Sequence, residues 1–248
     1  MIGTEAAAKA EPDGHTLLIA SVGFITNQVL ISNLPYDPAS LVPQVLLATA
    51  PLVLYVSPSV PAKTLKELIA YGKTRPKQLM FASSGNASSP HITAELFASM
   101  TGIEITHVPY KGTGPALADL LGGQVHALFS TLTVMPNMRA GKLRAFAVTN
   151  KTRLSGAPDL PTAEEAGLPN FTAASWFGTF VQAGVPPDVR QRIYTDIRSI
   201  VGMPEIRERI QQIGLDPSTL NRGEYAAFLK AELDKWGGII RAKNIRIE

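Results

Sequence analysis

The sequence predicts an α/β protein with mainly parallel sheets, its chain divided between two lobes. Three observations carry this. Short apolar runs rich in Val, Ile, Leu and Phe alternate with amphipathic stretches of about ten residues, the pattern of βαβ units. Proline opens one helical pattern after another, at Pro90, Pro115, Pro187 and Pro204. Two apolar strands, near Val53 and near Phe177, have no good helical neighbour and mark where the chain crosses between lobes. The first lobe is thereby set at residues 1–55 and 173–248, the second at 56–172.

Each element has a local reason. A helix-like run, Glu5 to Ala10, comes first, and the turn Pro12-Asp13-Gly14 leads into a strand at Thr16 to Ala20. Val45 to Ser57 carries one or two strands. Lys63 to Thr74 is a helix: Leu65, Leu68 and Ile69 share a face, and Thr64 with Glu67 forms a capping box behind Pro61. Leu79 to Ala82 is a strand, then Pro90 to Met100 a helix with Ser89 as N-cap and Gly102 as stop. Ile105 to Val108 is a strand, Pro115 to Leu121 a helix closed by Gly122-Gly123. Val125 to Ser130, Leu143 to Thr149 and Trp176 to Gln182 are strands. Three helices follow, at Pro187 to Val201, Pro204 to Ile213 and Gly223 to Lys243. The last places Tyr225, Phe228, Leu229, Leu233, Trp236 and Ile240 at helical spacing, the mark of a packed face.

Composition narrows the function classes. The 248 residues are 45% hydrophobic and 17% charged, a packed globular chain. Net charge is +3, and the one dense basic cluster, Arg198 to Arg209, alternates with Glu205 and Glu208. It reads as a solvated helix face, and no nucleic-acid partner is expected. There is no cysteine, which removes thiolate chemistry and disulfides. No apolar run approaches the roughly 18 residues that span a bilayer.

Two segments stand apart, FASSGNASSPH (Phe81 to His91) and HVPYKGTGPALADLLGGQV (His107 to Val125). In each, a strand runs into small polar or glycine residues and then into a proline-marked helix. Their N–H groups and hydroxyls form a cradle for a small anion. A plain N-cap with a flexible loop is the alternative for the serines, but a cap needs only one of them, which favours the ligand; Lys111 is as well suited to solvent as to a ligand. Neither segment is a P-loop or a dinucleotide fingerprint. Among His15, His91, His107 and His126 there is no metal spacing, and neither metal nor cofactor is expected. GxSxG is absent; Ser84 with His91 and Asp119 is the one conceivable hydrolase set, and nothing in their spacing demands it. The chemistry on offer is capture of a ligand, so no enzyme is expected.

Further stretches join these two: IGTEAAAKAEPDGHTLL, MPNMRAGKLRAFAVTN and LPTAEEAGLPNFTAASWFGTFVQAGVP. In this combination and order, spanning nearly the whole chain, the sequence resembles the solute-binding receptors of tripartite tricarboxylate transporters, the Bug-type periplasmic proteins. The resemblance implies a two-lobed type II periplasmic-binding fold that closes on a small ligand, usually a carboxylate, and passes it to membrane permease subunits. It also implies a site of Ser21, Ser84, Gly85, Asn86 and Ser88, with Tyr110, Gly112, Thr131 and Trp176 as further members.

Two departures shape the expectations. The family normally has a strand, a proline- and glycine-rich loop, a helix and a second strand ahead of the IGTE segment; here Met1 takes their place. The first lobe is then expected to lack its first strand and to expose edges through which it forms a homodimer. A periplasmic location is expected, or a cytoplasmic one if Met1 is the native start, since no signal peptide is evident. A truncated or sensory protein of the same fold is the alternative. Acidic residues are common in the family around Val125 to Ser130, where this chain has His126, Ser130 and Thr131. A plain dicarboxylate or aromatic acid then suits the site better than an amino acid.

Overall fold

The computed structural model describes residues 1–154 and 156–242. In chain order the elements are α1 (Ile2–Ala8), β1 (Leu18–Ala20), α2 (Gly23–Leu30), β2 (Leu41–Pro51), β3 (Val53–Val56), α3 (Leu65–Lys73), β4 (Leu79–Ser83), α4 (Ser89–Thr101) and β5 (Ile105–Pro109). They continue with α5 (Thr113–Leu121), β6 (Ala127–Ser130), α6 (Met135–Arg139), β7 (Arg144–Val148), β8 (Ala174–Gln182), α7 (Pro187–Gly202), α8 (Pro204–Gln212), β9 (Asp216–Pro217) and α9 (Arg222–Ala242). The last residue of the expected final helix, Lys243, lies outside the described residues.

The chain forms two compact units, Met1–Thr49 with Ser175–Glu248, and Ala50–Ala174. Both crossings fall inside strands, one near the end of β2 and one at the start of β8. The sheets are mixed, which corrects the expectation of mainly parallel strands. In the second unit the order is β5-β4-β6-β3-β7. Strand β4 runs parallel to β5 and β6, whereas β3 runs antiparallel to β6 and β7. In the first unit the order is β1-β8-β2-β9, with β1 antiparallel to β8 and β2 antiparallel to β9. Strand β3 enters the second unit straight from β2, with no crossover helix to turn it parallel to its neighbours.

The second unit is a sheet covered on both faces. All four residues of β3 and all four of β6 are buried, the signature of a strand with no solvent side. Alternation sorts them. Leu54, Val56, Phe81, Ala127 and Phe129 pack with Leu65 and Leu68 of α3 and Phe97 of α4. Val53, Tyr55, Ala82 and Leu128 pack with Ala116 and Leu120 of α5. Phe97 meets Phe81, Phe129 and Phe171 at ring-centroid distances of 5.8 to 5.9 Å. The α3 cap forms with its return bond shifted by one residue: Thr64 Oγ1 accepts from Glu67 N (3.1 Å), and the Glu67 carboxylate accepts from Lys63 N (2.8 Å), one residue before the N-cap, and not from Thr64 N. Where the chain enters this unit, Thr149 Oγ1 accepts from Leu52 N (2.9 Å) and donates to Ala173 O, pinning two crossing segments to the end of β7.

In the first unit, α9 supplies the buried face anticipated for it: Tyr225, Leu229, Trp236 and Ile240 are all buried. Phe24 of α2 packs on Phe180 of β8 with ring centroids 4.5 Å apart. Strand β1 lies at one edge of the sheet, flanked by exposed Leu17 and carrying exposed Ile19.

Candidate functional site

The register of the second unit assembles the site. Because β4, β5 and β6 are parallel neighbours, the segments leaving them emerge at one edge of the sheet. Ligands in open α/β sheets sit at this carboxyl edge. The loop after β4 carries Ser84, Gly85, Asn86 and Ser88; the loop after β5 carries Tyr110 and Gly112; Thr131 follows β6. Tyr110 N donates to Ser83 O (3.0 Å), which ties the first two loops together. The structure thus gathers seven of the nine residues named from the sequence.

Within the first loop, backbone geometry is set by glycine and by internal hydrogen bonds. Gly85 has φ +132°, a conformation open to glycine and costly for other residues. Its carbonyl accepts from Ser83 Oγ (3.0 Å), Ser88 Oγ (2.6 Å) and Ser88 N (3.3 Å). The N-cap of α4 is therefore Ser88, one residue earlier than expected, and its hydroxyl serves the loop. Among the described residues, the N–H groups of Ser84, Asn86, Lys111 and Gly112, the Ser84 hydroxyl and the Asn86 amide have no hydrogen-bond partner. Asn86 is exposed and Ser84 half-buried.

Tyr110 plays a narrower part than its hydroxyl suggests. The hydroxyl donates to Asp119 Oδ2 of α5 at 2.6 Å. Partial burial and the Asp119 carboxylate push it up to about 12, so it stays protonated and spends its proton on that tether. Thr131 Oγ1 pairs with Thr133 Oγ1 at 2.8 Å, while Tyr55 Oη donates to Thr131 O (3.1 Å) from the adjacent strand. Lys111 is exposed and makes no ion pair among the described residues.

Ser21 and Trp176 belong to the other unit. Ser21 closes β1 and precedes α2, half-buried, its carbonyl accepting from Phe24 N at 2.8 Å. Trp176 departs from expectation as a ligand contact. Its side chain is 0% exposed and packs edge-on against Tyr225 and Phe228 at 6.4 and 6.1 Å. The ring is a core group of the first unit, placed there by strand alternation with Gly178 and Phe180.

The hydrolase arrangement does not form. His91 is buried and its Nδ1 accepts from Ala87 N (3.1 Å), so it holds the loop and does not address Ser84. Burial, then the neighbouring His107, lowers its pKa to about 3. Sequence reasoning missed the contact made one residue earlier, Ser83 Oγ to His107 Nε2 at 2.6 Å. The strand register pairing Ser83 with Pro109 and Phe81 with His107 is the signal that would have found it. No group of three or more acidic or histidine side chains suited to a metal occurs among the described residues.

Comparison with known proteins decides the lineage. The family described as "Tripartite tricarboxylate transporter family receptor" matches residues 1–245. The chain belongs to this family. It is 33% identical to Protein BugT of Bordetella pertussis, covering 100% of this chain and 77% of BugT. Among solved structures it is similar to R. palustris Rpa4515 with adipate (TM-score 0.90, 33% identity, 99% of this chain and 83% of that one). It is similar also to the periplasmic binding protein BugD (0.87, 29%, 100% and 84%) and to MatC from Rhodopseudomonas palustris with bound malate (0.85, 28%, 96% and 83%). The receptor is a two-lobed solute-binding protein and not an enzyme.

Proposed function

We propose that this receptor captures a small organic acid, a dicarboxylate by preference, in the periplasm and delivers it to the membrane permease of a tripartite transporter. The observation that carries the reading is the group of unpartnered, uncharged donors in the two loops at the carboxyl edge of β4 and β5: Ser84, Asn86 and the N–H groups of Lys111 and Gly112. A carboxylate accepts several such bonds at once, and bonds to a charged acceptor are about twice as strong as neutral ones. Gly85 and Gly112, at φ +132° and +112°, shape the backbone around the guest. Two solved relatives are described with adipate and with malate, both dicarboxylates, in line with this choice. Ser21, also at a strand's carboxyl end, is proposed as a ligand-binding residue in its own right. Gly85, Ser88, Tyr110 and Thr131 are proposed as framing residues around these donors.

Isothermal titration of the purified receptor with malate, adipate, citrate and benzoate tests this. Heat from a dicarboxylate, reduced in Asn86→Ala and Ser84→Ala variants, is the expected result. A receptor silent towards the entire panel would remove the carboxylate assignment.

A further inference from the structure

Beneath the loop after β4 lie two histidines that ligand capture does not itself require. The rings of His91 and His107 stack with centroids 3.6 Å apart and planes 7° from parallel. His91 is 5% exposed. Its Nδ1 takes the N–H of Ala87, a buried residue held at φ +62°, an uncommon conformation for anything but glycine. His107 Nε2 lies 2.6 Å from Ser83 Oγ, which in turn bonds both Gly85 N (3.1 Å) and Gly85 O (3.0 Å). His107 therefore fixes the chain before Asn86, through Ser83, and His91 fixes the peptide after it.

The hydrogen bonds dictate the protonation. His91 Nδ1 must keep its lone pair to accept from Ala87 N, so its proton sits on Nε2. An added proton would break that bond and set a cation against the face of its neighbour. A charged histidine would attract an anion more strongly, but here it would release the loop. A preset loop gives up little conformational freedom when a guest arrives.

We infer that the stacked His91–His107 pair is the positioning element of the site, holding Gly85 and Ala87 so that the donors of Ser84 and Asn86 face the guest. The role is to position; neither ring touches the ligand. It rests on the carboxylate reading above.

The test compares two kinds of variant. His91→Asn keeps an acceptor near the Nδ1 position, and His107→Gln keeps a polar atom near Nε2; His91→Phe and His107→Phe keep a ring and lose both. In ligand-free protein, the Ala87 amide is expected to exchange slowly in wild type and His91→Asn and rapidly in His91→Phe. Titration with malate and adipate should show affinity falling roughly three- to tenfold in the Phe variants, the loss of about one hydrogen bond, and recovering in His91→Asn and His107→Gln. If a Phe variant does not fold, as judged by cooperative thermal unfolding, Ser83→Ala cuts the His107 link from the loop side. Slow Ala87 exchange and unchanged affinity in the Phe variants would overturn the inference. So would Asn and Gln variants as impaired as the Phe ones, which would reduce the pair to packing. A wild type that binds neither acid counts against the carboxylate reading, while the amide measurement still decides the positioning role.

Discussion

Acid should weaken the second unit through His91, and the size of the effect follows from its surroundings. The imidazole is buried, spends Nδ1 on Ala87 N and stacks on a second ring, so the fold holds it neutral down to about pH 3. An unfolded chain takes up that proton near the ordinary histidine value of about 6.5. The neutral form is the one the fold favours. Its stabilising contribution is thus complete above pH 6.5 and is lost as the pH falls from there towards 3. One histidine gives a slope approaching about 1.4 kcal/mol per pH unit, and integrating from about pH 6.5 to 4.5 gives a loss of about 2 kcal/mol. His107, lowered by burial to about 4, adds a contribution of the same sign, reduced by solvent screening. Glu232 and Asp216, raised by burial, act in the opposite sense in the first unit. A variant that removes only the imidazole isolates the effect. Urea unfolding of wild type and His91→Asn, followed by far-ultraviolet circular dichroism at half-unit pH intervals, should show the wild-type advantage shrinking by about 2 kcal/mol between about pH 6.5 and 4.5. Two curves that stay parallel across that window would refute the reasoning.

Three further outcomes can be measured directly. Phe97→Ala empties a fully buried position among three aromatic rings and should cost about 3–5 kcal/mol in urea unfolding. Thr149→Val keeps the shape but leaves the buried Leu52 N–H without its acceptor; a loss of about 1–3 kcal/mol is expected, and none at all would mean the backbone finds another partner. Gly178→Ala drives a methyl into the buried Tyr225 hydroxyl of the first unit, and should cost about 1–3 kcal/mol and be relieved in part by Tyr225→Phe.

Much of the fold is legible in the sequence because its signals are local. Strands β4, β5 and β7 appear within a residue or two of expectation, and α3 and α4 carry a readable cap and a glycine stop at Gly102, φ +70°. Helix α2 gives no such signal: it opens at Gly23 behind Val22 with no side-chain cap. The antiparallel course of β3 is equally hidden, because strand direction depends on where the chain came from and not on the residues Val53 to Val56. The site divides the same way. The loops at Ser84 to Ser88 and Tyr110 to Gly112 stand out through glycine and small polar residues between strand and helix. The histidine stack does not, since it joins a helix to a strand 16 residues on and exists only through tertiary packing. An aromatic near a crossing suits a ligand wall or a core equally; the complete burial of Trp176 assigns it to the core.

Both tryptophans of this chain, Trp176 and Trp236, are fully buried in the first unit, and the second unit has none. Indole emission consequently reports on one half of the molecule, while the half bearing the β4 and β5 loops is silent at that wavelength. A denaturation curve read by fluorescence and another read by dichroism are then two separate experiments, and any gap between their midpoints measures how independently the halves come apart.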